Sequence, residues 1–97
     1  MHSVTLQTLE DWNREGRPYL LIDVRETFEH EADNIGGKNI PMDALSGAAE
    51  RLPKDADIVL YCAKGIRSVI AIQRLQSKGF SRLYNLSGGM AAIRGSY

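Results

Sequence analysis

The sequence predicts an α/β protein: a sheet of mainly parallel strands between layers of helix, a three-layer α/β/α sandwich. Two short, uninterrupted apolar runs, Tyr19-Leu20-Leu21-Ile22 and Ile58-Val59-Leu60-Tyr61, carry most of that expectation. Strands covered on both faces lose the polar alternation of a strand with one wet face. The second observation is order, because strand-like and helix-like segments alternate along the chain without a repeat, a low-complexity stretch or a linker. The third is size: 97 residues, 43% of them hydrophobic, supply one modest core, so residues 1–97 are expected to form a single domain.

The elements follow in order. A short edge strand around Ser3-Val4 leads to Thr5 as a helix cap; Leu6, Leu9 and Trp12 recur at helical spacing, and Gly16 ends that helix. The strand at residues 19–22 is followed by a short helix from Thr27 to Ala32, a glycine turn at Gly36-Gly37, and a strand at Asn39-Ile40 closed by Pro41. A helix then starts at about Asp43, with Leu45, Ala48, Ala49 and Leu52 on one face, and Pro53 helps to end it. After the strand at residues 58–61 comes a loop-like stretch of seven residues, then a helix from Ser68 to Lys78. That helix is apolar nearly all round at Val69, Ile70, Ala71 and Ile72, so its start is expected to be buried. Arg82-Leu83-Tyr84-Asn85 reads as the last strand, and Gly88-Gly89 precedes a brief helix through Ala91, Ala92 and Ile93.

Composition excludes several functions. Twelve basic and twelve acidic side chains give a formal net charge of zero, so neither nucleic acid nor an anionic membrane surface is expected as a partner. No apolar run reaches the roughly 18 residues of a membrane span, and Met1-His2-Ser3 lacks the basic and apolar regions of a signal peptide. The chain is expected to be soluble and cytoplasmic. Its single cysteine, Cys62, excludes an internal disulfide, a cysteine-rich zinc site and a two-cysteine redox motif. His2 and His30 lack ligand-like spacing to each other or to Cys62, and neither a metal site nor a cofactor is expected.

The chemistry concentrates in Cys62-Ala63-Lys64-Gly65-Ile66-Arg67-Ser68, which joins a buried strand to a helix N-terminus. Backbone N–H groups and the positive end of the helix dipole stabilise an anion there. A thiol so placed ionises more readily than a free one, whose pKa is about 8.5. A lone cysteine after an apolar strand is ordinarily a small buried hydrophobe. Here two cations and a glycine follow at once, which a plain strand-to-helix turn does not require. Gly65 lets the loop curl so that its amides point inward, Arg67 closes the ring with a planar cationic fork, and Lys64 recruits an anionic substrate. Ser68 caps the helix, aims its hydroxyl at the sulfur, or does both.

These residues are similar to those of a known family. Leu21-Ile22-Asp23-Val24-Arg25-Glu26 resembles the Asp-Val-Arg motif of rhodanese domains, and residues 61–68 resemble their active-site loop. Gly37-Lys38-Asn39-Ile40-Pro41, Gly79-Phe80 and Tyr84-Asn85-Leu86-Ser87-Gly88-Gly89 match in family order over nearly the whole chain. Asn34 stands where many members have histidine, Gly36 where many have proline, and Ile93 where many have tryptophan; the chain also stops where many continue with a last helix. The resemblance implies a rhodanese-like fold with a five-stranded, mainly parallel sheet, and a sulfurtransferase that takes sulfane sulfur as a persulfide on Cys62. Ala63, Lys64, Gly65, Ile66 and Arg67 then match the loop surrounding the transferred sulfur.

Asp23 is expected to support the loop and Arg25 to touch substrate, with a structural ion pair as the alternative for both. Glu26, Glu29, Glu31 and Asp33 read as a solvated helix face rather than a dock for a basic partner. Gly88-Gly89 either lets the backbone approach the loop closely or makes an ordinary turn. The expected donor is a small anion such as thiosulfate, or a persulfide; the expected acceptor is a thiol or a sulfur-carrier protein. An alternative role is that of a module in a larger protein, delivering sulfur to a ubiquitin-like carrier. Phosphatases of the related dual-specificity type hold one more residue between cysteine and arginine than the four here, Ala63 to Ile66, so phosphatase or arsenate reductase activity is the weaker reading.

Overall fold

The structure is a computed structural model that describes residues 2–95. Strand β1, His2–Val4, runs into helix α1, Leu6–Glu15, which starts where the Thr5 hydroxyl accepts the Thr8 amide at 3.2 Å and ends at Gly16. Strand β2, Leu20–Asp23, and helix α2, Thr27–Ala32, precede the two-residue strand β3, Lys38–Asn39. Helix α3, Leu45–Ala49, strand β4, Ile58–Tyr61, and helix α4, Ile66–Gln76, follow; strand β5, Leu83–Leu86, and helix α5, Gly89–Arg94, complete the set.

All five strands form one sheet in the order β1-β5-β4-β2-β3, and each neighbouring pair is parallel. The apolar run of β4 occupies the centre because both its faces are covered. Ile58 and Leu60 pack with Ile22, Leu45, Ala71, Ile72 and Leu75 under α3 and α4. Val59 and Tyr61 turn the other way, toward Val4, Leu9, Trp12, Leu86 and Met90 under α1 and α5. Successive side chains of one strand thus feed two cores, as the period of two requires. Crossovers between parallel strands leave the loops at the carboxyl ends of β2 and β4 side by side, with Asp23 in register with Tyr61.

Two expected helices differ in extent. The helix expected from Asp43 through Leu52 is shorter: a 3-10 turn at Met42–Ala44 leads into α3, which stops at Ala49, with tighter turn bonds from the Arg51 amide to the Ala48 carbonyl and from Leu52 to Ala49. Gly47 near its middle and Pro53 just beyond its end shorten the run that helical geometry tolerates. Helix α4 begins two residues before the expected Ser68, at Ile66, which puts Arg67 and Ser68 inside its first turn. Its start is not wholly buried. Ile66 is 69% and Ile70 40% exposed, one turn apart on the face turned from the sheet, whereas Ser68, Ala71 and Ile72 point inward. Strand limits shift by a residue at most places. Among the described residues no helix is long and apolar enough to cross a membrane.

Trp12 anchors the α1 side. Its ring meets Tyr19 and Tyr84 edge-on, at centroid distances of 5.5 and 5.3 Å, and the Arg17 guanidinium lies 3.9 Å over its face. Replacing this buried indole by a methyl group leaves a cavity, so Trp12→Ala is expected to lower the unfolding free energy by about 3–5 kcal/mol, read from urea denaturation.

Candidate active site

Cys62 follows the last residue of β4 and is 1% exposed. Its Sγ accepts the Gly65 amide at 3.1 Å and the Ser68 amide at 3.4 Å, and lies 3.4 Å from the Ser68 hydroxyl. The loop adopts this form because its carbonyls are engaged on the other side. The amides of Met90 and Ala91, in the first turn of α5, donate to the carbonyls of Cys62 and Ala63 at 2.9 and 2.8 Å. With the Ala63 carbonyl held toward α5, the Lys64 amide of the same planar peptide points the opposite way, and it is among the amides that lower the Cys62 thiol. Gly65, at φ +91°, supplies the left-handed step that allows the turn. At Gly89 a side chain would collide with the Cys62 carbonyl, so the close approach expected of Gly88-Gly89 is present.

Burial, the largest influence on the Cys62 thiol, pushes its pKa up; hydrogen bonds from the Ser68 hydroxyl and the amides of Ser68, Gly65 and Lys64 together outweigh it and hold the thiol below its ordinary value. Ser68 also donates its hydroxyl to Asn85 Oδ1 on β5 through a short bond. One proton cannot serve both neighbours at once. In the 3.4 Å contact between Cys62 Sγ and the Ser68 hydroxyl either atom can be the donor. Ser68 is thus the hydroxyl aimed at the sulfur, while Gly65 takes the cap position.

Ala63, Lys64, Ile66 and Arg67 surround Cys62 in an open recess of about 360 Å³. Gly65 is buried and contributes its amide. Larger grooves lie away from the sulfur, one of about 570 Å³ lined by Ala49, Glu50, Leu52, Lys54, Lys78 and Phe80. The two cations of the recess differ. Lys64 is exposed and pairs with no carboxylate among the described residues, whereas Arg67 makes a two-pronged bond to Glu29 of α2, Nη1 to Oε1 at 2.7 Å and Nη2 to Oε2 at 2.9 Å. Glu29 Oε1 also accepts the Glu26 amide at 3.0 Å. The hydrogen bonds from Arg67 hold the Glu29 carboxyl down at about 2.

Asp23 and Arg25 form a buried bracket beside the loop. Arg25 donates its backbone amide to Asp23 Oδ1 at 3.0 Å and Nη2 to Oδ2 at 2.8 Å, and His30 Nδ1 lies 2.9 Å from the same oxygen. Burial pushes the Asp23 carboxyl up, but the bonds from Arg25 and His30 prevail and lower it. Arg25, expected as a possible substrate contact or as part of a structural ion pair, is 1% exposed; its Nη2 also donates to the Asp33 carbonyl at 2.6 Å, and its guanidinium sits 5.7 Å from the Tyr61 ring centroid. The carboxylate two residues earlier turns it inward. Asp23 stands in register with Tyr61, the residue before Cys62. The acidic stretch is likewise not simply solvated, since Glu29 holds Arg67 and Asp33 pairs with Arg94. Glu29, His30 and Asn85 are the site neighbours the sequence did not single out as such; their partners lie across elements that only the fold brings together.

The fold and this loop define a class, that of α/β proteins with a cysteine cradled at a helix N-terminus. The profile of the rhodanese-like domain matches residues 5–96, and the chain belongs to that family. It is 37% identical over 93 residues to the probable adenylyltransferase/sulfurtransferase MoeZ of Mycobacterium tuberculosis, covering 93% of this chain and 24% of that protein. A sulfurtransferase of Allochromatium vinosum is 36% identical over 74 residues, covering 75% of this chain and 69% of the relative. The crystal structure of a rhodanese-like domain protein from Staphylococcus aureus superposes with a TM-score of 0.86 at 30% identity, over 95% of this chain and 90% of that one. The chain therefore spans about a quarter of the length of MoeZ.

Ser68→Ala removes the largest influence that lowers the Cys62 thiol. The pH dependence of Cys62 alkylation by iodoacetamide is expected to move to higher pH in this variant; an unmoved profile would show that the hydroxyl does not stabilise the thiolate.

Proposed function

We propose that the protein moves sulfane sulfur from thiosulfate or a persulfide to a thiophilic acceptor through a persulfide on Cys62. The observation that carries this reading is the convergence of the Gly65 and Ser68 amides on Cys62 Sγ at the floor of an open recess. An anionic sulfur is stabilised there, and the recess gives a donor access to it.

The reaction divides into two displacements. With thiosulfate, the Cys62 thiolate attacks the outer sulfur; a Cys62 sulfur–sulfur bond forms, the donor's own sulfur–sulfur bond breaks, and sulfite leaves with the electron pair. The terminal sulfur of the new persulfide carries the negative charge. An acceptor thiolate then attacks that terminal sulfur, the acceptor becomes the persulfide, and Cys62 is released as the thiolate. Ala63 and Ile66 shape the wall, Lys64 supplies positive charge, Arg67 stays in the wall paired with Glu29, the Gly65 and Ser68 amides with the Ser68 hydroxyl hold the anion, and Asp23 with Arg25 supports the loop from behind. No metal or organic cofactor enters these steps.

A second reading, delivery of sulfur to a ubiquitin-like carrier as a module of a larger protein, draws support from the likeness to part of MoeZ, a protein named for adenylyl and sulfur transfer. It uses the same first displacement and differs in the acceptor.

Cys62→Ser is expected to abolish thiosulfate-to-cyanide transfer while leaving the unfolding midpoint close to that of the parent, because a serine hydroxyl cannot form the persulfide. Appreciable turnover by a folded Cys62→Ser protein would refute the mechanism.

A further inference from the structure

The Cys62 recess carries less positive charge than its two cations suggest. Arg67 lines it, but both terminal nitrogens of its guanidinium are bound by the Glu29 carboxylate. That carboxylate is itself fixed by the Glu26 amide, and it is fully ionised at neutral pH, with its pKa held at about 2. Lys64 is then the cation of the recess without a carboxylate partner among the described residues. Ala63 and the 69% exposed Ile66 make up the apolar part of the wall.

Charge decides how well two kinds of sulfane donor suit such a place. Thiosulfate brings two negative charges toward a sulfur that must itself be a thiolate, and sulfite departs with two. A persulfide of a simple thiol brings at most one, and its carbon-bound sulfur departs as a thiolate with one. The Gly65 and Ser68 amides are already directed at Cys62 Sγ. We infer that Glu29 is a specificity-determining residue: by cancelling the charge of Arg67 while keeping its guanidinium in the recess wall, it biases Cys62 toward low-charge persulfide donors and away from dianionic ones. The inference rests on the sulfur-transfer reading above and names the donor class of that same site.

Glu29→Gln isolates the charge, since the amide oxygen still accepts a hydrogen bond from Arg67 while the negative charge is gone. Its effect is read as the ratio of kcat/KM for thiosulfate to kcat/KM for the persulfide of 2-mercaptoethanol. The ratio is expected to rise about fivefold or more, chiefly through a lower KM for thiosulfate, and thiosulfate turnover is expected to fall more steeply with added salt than in the parent. Arg67→Gln, which leaves the Glu29 carboxylate without its partner, is expected to move the ratio the opposite way. A ratio unchanged in both variants, or equal losses for both donors in Glu29→Gln, would overturn the inference and leave Glu29 as a positioning residue only. Failure of either donor to place sulfur on Cys62 of the parent protein would remove the sulfur-transfer reading itself, an outcome visible before any variant is compared.

Discussion

The conformation of the Cys62 loop depends on two sets of hydrogen bonds that point in opposite directions. On one side the first-turn amides of α5 hold the carbonyls of Cys62 and Ala63. On the other, the amides of Gly65 and Ser68 are left to face Cys62 Sγ. A backbone that satisfied its own polar groups within a helix or strand would have no donors left to stabilise an anionic sulfur. The helix that ends the described chain is therefore a condition of the site, although none of its side chains lines the recess. The glycine at position 89, where a Cβ would strike the Cys62 carbonyl, makes that contact sterically possible.

The sheet fixes where this loop stands. β4 is buried on both faces, so its carboxyl end has one position, and β2 beside it brings Asp23 into register with Tyr61. Asp23 and Arg25 form an ion pair with almost no exposure to water, helped by His30. Such a pair adds little net stability against its desolvation cost, but breaking it leaves a buried charge, and this makes its geometry hard to vary. The Tyr61 hydroxyl donates to the Gly36 carbonyl at 2.8 Å, with burial and the Asp23 charge pushing its pKa up to about 12. It ties the turn after α2 to the strand that ends at Cys62.

What could be read from the sequence was what is local. Cys62 and the six residues after it carry their chemistry in consecutive positions, and the apolar runs of β2 and β4 announce strands covered on both faces. The partners that tune the site are distant. Glu29 is 38 residues from Arg67 and Ser68 is 17 from Asn85, and neither pairing leaves a periodic or compositional trace. Arg25 illustrates the reverse problem: residue type suggested a substrate contact, yet Asp23 two positions earlier provides a buried partner that turns the side chain inward. The exposed Ile66 and Ile70 have a similar cause, since an all-apolar stretch of helix does not reveal which of its faces another element will cover. Gly65 accounts for the early start of α4, because a left-handed residue at the cap lets helical bonding begin two residues sooner than loop composition suggests.

The central claim is that the loop amides and the Ser68 hydroxyl hold sulfur on Cys62. Intact-protein mass spectra taken before and after exposure to thiosulfate, with a reducing wash and then cyanide, test it most directly. The account predicts that the protein gains the mass of one sulfur atom at Cys62 and loses it to either treatment. A protein that is folded, retains a reactive Cys62 thiol and gains no sulfur from thiosulfate or from a persulfide would contradict it.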